Sequence, residues 1–130
     1  MVLIHFDRTK AGRLVGFSAR GHALFAEEGE DIVCAGVSAL LQTAILGLEV
    51  KVGASPRYQV TRGRLACRVD GRRLTGEIGR QVEVLLESIL LGLIEMARHY
   101  PEHIHLQEAA PGRRTVTASA GPPGETPEEA

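Results

Sequence analysis

Between Ile32 and Leu48 the chain carries no charged side chain for seventeen residues. Such a run can be a helix buried on more than one side or, at slightly greater length, a membrane span. Ser38, Gln42 and Thr43 interrupt it, and Glu49 and Lys51 end it. These features predict a buried helix and no membrane contact. A helix apolar nearly all round needs cover beyond one sheet face, from a second layer of structure or from a twin subunit. A homodimer is therefore expected.

The rest of the chain supplies strands to cover it. Val2 to Phe6 alternates, with Val2, Ile4 and Phe6 on one side, and Leu14 to Arg20 does the same through Val15, Phe17 and Ala19. The polar turn between them predicts an antiparallel hairpin. Asp31 suits the N-cap of the uncharged helix, which is expected to run to about Val50. Gly53-Ala54-Ser55-Pro56 breaks the pattern. Tyr58 to Thr61 and Arg64 to Asp70 form a second hairpin around Arg62-Gly63, with Leu65, Cys67 and Val69 inward. A second helix spans about Gly76 to His99, with Val82, Leu85, Leu86, Ile89, Leu93 and Met96 as its apolar stripe. Pro101 stops it, and His103 to Gln107 reads as a last strand. The order β-β-α-β-β-α-β predicts an α+β domain of two layers, a mainly antiparallel sheet packed with two long helices.

At 130 residues the chain is one domain in length, 44% hydrophobic and 24% charged. Residues 1–108 form the expected domain. Residues 109–130, which hold four of the six prolines, read as a disordered tail. The formal net charge of -1 gives no overall pull toward nucleic acid or anionic lipid. Two cysteines, Cys34 and Cys67, do not make a disulfide framework, and the apolar run at Met1–Asp7 is too short for a signal peptide. A reducing cytoplasm is the expected setting.

Chemistry concentrates at the entrance to the uncharged helix. Cys34 falls in its first turn, where unpaired N–H groups and the positive end of the dipole stabilise a thiolate. His22 follows Gly21 at the end of the second strand. The intervening acidic loop, Ala23-Leu24-Phe25-Ala26-Glu27-Glu28-Gly29-Glu30, can fold back to bring imidazole and thiol together. That pair is the base and nucleophile of a Cys–His hydrolase. Taken singly, each residue is weak: most unpaired cysteines are small core residues, and many histidines merely cap or pack. Asp31 either caps the helix or orients His22. Ser38 shares the helix face of Cys34, one turn on, and either hydrogen-bonds near the site or permits close packing.

Gly21-His22-Ala23, Gly29, Asp31-Ile32-Val33-Cys34-Ala35 and Val37-Ser38-Ala39-Leu40 together resemble the ribosomal-processing cysteine protease (Prp) family of bacteria. The match is in residue identity and in His-to-Cys spacing. It implies a small dimeric endopeptidase without a cofactor. Members remove the N-terminal extension of the large-subunit ribosomal protein that reaches toward the peptidyl-transferase centre, cutting after aromatic residues and before a small one. The resemblance places the base on His22 and the nucleophile on Cys34, and makes residues 23–30 a mobile loop that closes over bound peptide. Gly21, Asp31 and Ser38 match further positions of the motif. Gly36 departs from the pattern, where alanine is the common residue.

Two other readings compete. His99, His103 and His105 have tolerable metal-ligand spacing, but a helix end followed by a strand with outward histidines explains them as well, and no metal is expected. Arg57, Arg62, Arg64, Arg68, Arg72, Arg73 and Arg80 face only Asp70 and Glu77 over that interval. A non-enzymatic ribosome- or RNA-binding module is thus the alternative function. The simpler expectation is a solvated, charged sheet surface and no nucleic acid partner.

Overall fold

A computed structural model describes residues 1–21 and 32–109, and the backbone of 116–117. The elements are β1 (Val2–Arg8), β2 (Leu14–Arg20), α1 (Ile32–Leu46), β3 (Arg57–Thr61), β4 (Arg64–Arg68), α2 (Gly76–His99), β5 (Ile104–Ala109) and β6 (Val116–Thr117). The sheet order is β3-β4-β2-β1-β5-β6. Every neighbouring pair is antiparallel except β1 and β5, which run parallel at the centre. The domain is α+β, two helices packed on a mixed sheet, in the element order expected.

Strand alternation decides which face the helices cover. Val2, Ile4 and Phe6 of β1, Phe17 and Ala19 of β2, Leu65 and Cys67 of β4, and Ile104 and Leu106 of β5 are all buried. Each set occupies every second position, so one face of the sheet is apolar and takes the helices. Phe6 and Phe17 stand directly opposite in the ladder, with ring centroids 5.5 Å apart. Val33, Cys34, Val37, Leu41, Ala44 and Ile45 form the inner side of α1. Val82, Leu86, Ile89, Leu93 and Ala97 do the same for α2.

The helices run antiparallel and close together. A side chain at Gly36 would meet the Met96 methyl, one at Gly92 would meet Leu40, and one at Gly47 would meet Leu85. The departure at Gly36 thus makes room for a methionine on the facing helix.

Two helical details differ from expectation. The α-helical geometry of α1 ends at Leu46, earlier than Val50, and Gly47–Val52 continues it as a wide π-helical turn. Gly53, at φ 72°, closes that turn by donating its N–H to the Leu48 carbonyl. The continuous helix Ile32–Val52 has the length and composition of a membrane span. Its inner side is nonetheless built into the core, as expected of a buried helix. Its outer side is open: Ile32 is 76% exposed, and Leu46 and Val50 are exposed too.

The strand ends also differ. β1 runs two residues beyond Phe6, with a register shift between Asp7 and Arg8. β4 stops at Arg68, two residues short of Asp70, although the Val69 N–H still donates to the Val15 carbonyl at 2.8 Å. β5 continues to Ala109, and Val116–Thr117 pair with Gln107 and Glu108. Those two residues lie in the segment expected to be disordered. The rest of residues 110–130 lies outside the described residues.

Arg8 joins three elements. Its guanidinium donates to Glu108 at 2.9 Å, to Glu87 on α2 at 2.7 Å and to the Gly12 carbonyl at 2.8 Å. Burial alone would lower its pKa, but its hydrogen bonds to the Glu87 and Glu108 carboxylates outweigh burial and hold it raised. Close packing elsewhere gives a test. A Cβ at Gly79 would lie 2.6 Å from the Leu74 carbonyl carbon, against rigid backbone, whereas at Gly36 it meets only the flexible end of Met96. Gly79→Ala should cost about 2 kcal/mol in urea denaturation. Gly36→Ala should change stability by less than about 1 kcal/mol, because the helix-propensity gain offsets displacement of Met96. Equal losses at the two sites would contradict this packing.

Candidate active site

The chain leaves β2 at Gly21 under tight constraint. Gly21 has φ 143°, and its N–H donates to the Gly63 carbonyl at 3.0 Å. A side chain there would collide with the Met1 carbonyl. Only glycine suits both the conformation and the space. Gly21, singled out as a motif position, therefore pins the loop root between the N-terminal strand and the β3–β4 turn. Gly63 and Met1 were not singled out from sequence. They act through their backbones, and only the Arg62-Gly63 turn signal pointed toward them.

His22, Asp31 and the whole loop Ala23, Leu24, Phe25, Ala26, Glu27, Glu28, Gly29 and Glu30 lie outside the described residues. The chain resumes at Ile32, the first residue of α1, so Cys34 is the third helical residue. In that position its own N–H lies in the first turn, whose N–H groups point toward the start of the helix. Those N–H groups and the positive end of the helix dipole face the charge of a developing oxyanion.

Cys34 is only 2% exposed. It lies on the inward side of α1 with Val37 and Leu41. Ser38 sits one turn on. Its hydroxyl oxygen is buried and has no hydrogen-bond partner among the described residues. A buried hydroxyl without a partner is costly and calls for an explanation.

The second cysteine behaves differently. Cys67 is a core residue of β4, facing Phe17 across the ladder. Burial, and secondarily the charge of Glu49, pushes its thiol up to about 12. That matches the inward strand position expected.

The histidines of the metal reading are separated by their surroundings. His99 Nδ1 lies 2.9 Å from the Glu95 carbonyl on α2, and His105 lies on β5 beside Gln107 at 3.3 Å. Among the described residues no group of three His, Cys, Asp or Glu side chains could hold a metal ion.

The family model "Cysteine protease Prp" matches residues 1–105. The chain belongs to this family. A ribosomal processing cysteine protease Prp from Bacillus subtilis is 29% identical over 82% of this chain and 96% of its own length. The crystal structure of SMU.848 from Streptococcus mutans aligns with TM-score 0.71 and 30% identity, covering 85% of this chain and 95% of the other. The Prp from S. aureus in complex with a substrate peptide aligns with TM-score 0.69 at 22% identity, over 84% of this chain and all of its own. The S. aureus likeness shows the shared fold: two helices on a mixed sheet. As a Prp-family cysteine protease, the chain needs one reactive thiol, and its two cysteines sit in very different settings.

Alkylation separates them. Iodoacetamide at neutral pH should modify Cys34 at least about tenfold faster than Cys67, because the latter thiol stays protonated and locked in a strand. Peptide mapping by mass spectrometry measures both rates. Faster modification of Cys67, or none of Cys34 in the native protein, would contradict this assignment.

Proposed function

We propose that this protein is a cytoplasmic endopeptidase that removes the N-terminal extension of a large-subunit ribosomal protein, using Cys34 as nucleophile and His22 as general base, with no cofactor. The observation that carries the reading is the place of Cys34 in the first turn of α1, in a chain of a cysteine protease family. The names of its curated relatives, ribosomal processing proteases, support the substrate class.

The chemistry follows from these groups. His22 takes the thiol proton, and the Cys34 sulfur attacks the carbonyl carbon of the scissile peptide. The carbonyl oxygen gains charge and is stabilised by N–H groups of the first helical turn. The imidazolium then protonates the leaving amine as the C–N bond breaks. A thioester remains on Cys34. His22 next takes a proton from water, the hydroxide attacks the thioester carbonyl, and the thiol departs with its proton restored.

Residues 23–30 serve as the loop that closes over bound peptide, with Phe25 in its wall. Asp31 caps α1 or orients His22, and Ser38 gives its buried hydroxyl to the site. Incubation with the host's extended ribosomal protein tests the reading. Wild type should release the extension and Cys34→Ser should lower the rate at least about a thousandfold, as loss of a catalytic nucleophile does in a unit of this kind. No cleavage by wild type, or equal cleavage by both, overturns it.

We also propose that two copies associate through the outer surface of the helical layer. Ile32, Leu46 and Val50 on the α1 side and Val84 and Leu91 on α2 are exposed apolar residues. Burying them against a second copy would complete the cover that the uncharged helix needs. Sedimentation should give a dimer for wild type and a monomer for the double variant Val84→Glu/Leu91→Glu. A monomeric wild type, or a dimer unaffected by both charges, would rule out this surface.

A further inference from the structure

The helices cover one face of the sheet, and the other face carries an unusual charge arrangement. Arg57 of β3 stands directly opposite Arg68 of β4, and Arg64 of β4 stands directly opposite Arg20 of β2. All four side chains are exposed. Like charges facing each other across a ladder work against the sheet. Little on the protein relieves them. Arg68 meets Asp7 at 3.4 Å while 65% exposed, and Arg20, Arg57 and Arg64 have no carboxylate within ion-pair distance among the described residues. A solvated surface would be better served by alternating charges.

The four arginines lie along one strip. Arg64 and Arg68 are four residues apart on β4, so they share a face about 13 Å apart. Between them the floor is low, made by Ala66 and by Ser18 of β2. A cavity of about 520 Å³ holds Arg57, Arg68 and Gln59 over this floor. Ser18 also lines the next cavity, of about 390 Å³, with Arg20, Arg64, His5 and His105. Past the other end of the strip, Arg57 and Arg68 enter a cavity of about 690 Å³ that adds Lys10 and Arg73. There Asp70 is already held by Arg72 at 2.9 Å, and Arg8 by Glu87 and Glu108.

We propose that this open sheet face binds the phosphate backbone of a single-stranded nucleic acid. A polyanion with a charge on every unit can meet both arginine pairs at once, and each guanidinium fork matches a phosphate. An extended acidic peptide fits less well, because every second carboxylate points away from the face. Tyr58, the aromatic residue beside the strip, is turned to Glu49 on the helix side, with its hydroxyl at 3.1 Å from the carboxylate. The strip therefore reads backbone rather than base sequence. The register of the arginines is the observation that favours this reading over a merely solvated surface. The inference is independent of the proteolytic reading, since none of the four arginines belongs to the proposed machinery.

Fluorescence anisotropy of the full chain with a labelled uridine homopolymer across a salt series tests it, with the matching deoxy-oligomer and polyglutamate as further probes. Four phosphate contacts on a single strand predict a log–log salt slope of about -3, or about 50-fold weaker binding between about 50 and 200 mM salt. The double variant Arg57→Gln/Arg64→Gln, which takes one arginine from each pair, should bind more weakly and lose only about sevenfold over the same range. Its melting temperature should be no lower than wild type, because repulsion is relieved. Lys51→Gln, on the helix side, should behave as wild type. Tighter binding of the ribo-oligomer would support RNA and a contact to the 2′-hydroxyl; equal binding of both oligomers would support recognition of phosphate alone. Unchanged affinity and slope in a folded double variant, no binding at low salt, or equal binding of polyglutamate would overturn the proposal.

Discussion

Burial of the inner side of α1 between the sheet and α2 is the interaction on which the site depends. Val37, Leu41, Ala44 and Leu48 are fully buried. Each large side chain among them contributes about 2 kcal/mol through removal from water. Because they recur at helical spacing, the helix can be placed in only one rotation. That rotation turns Cys34 and the Ser38 hydroxyl inward with them. The thiol is thus positioned by core packing three residues into a helix, among the N–H groups of its first turn. A loop alone could not hold it so firmly.

The other side of the site is built on backbone restraint. Gly21 is held by its N–H to Gly63 and by the nearness of Met1, so the end of β2 is tied to two neighbouring elements. The N-terminal strand is itself fixed by the Val2 N–H to the His103 carbonyl at 2.7 Å, and by parallel pairing with β5. The loop that bears His22 is therefore anchored at a rigid root on one end and at the first turn of α1 on the other.

Much of this was legible in the residues. Alternation through Val2, Ile4 and Phe6, and through Leu65 and Cys67, gave the buried face of the sheet, because one-sided burial imposes a period of two. Pro101 marked the end of α2, and the position of Cys34 followed from the start of the uncharged run. Other features depend on partners far away in the chain and leave no local trace. Gly36 looked like a weak helix residue until Met96 was seen opposite it. Leu85 packs over Gly47, the first residue of the wide turn Gly47–Val52. The facing arginines became visible only through strand register, which a count of charges along the chain does not contain. Ser38 was suspected from its spacing, but its lack of a partner is a property of the packed interior.

The central claim is that imidazole from the loop activates a sulfur fixed by the core. The rate of Cys34 alkylation as a function of pH, compared between wild type and His22→Ala, measures that coupling directly. Wild type should react at least about tenfold faster than the variant at neutral pH, and the difference should shrink as the pH rises. Superimposable curves for the two proteins would contradict the account.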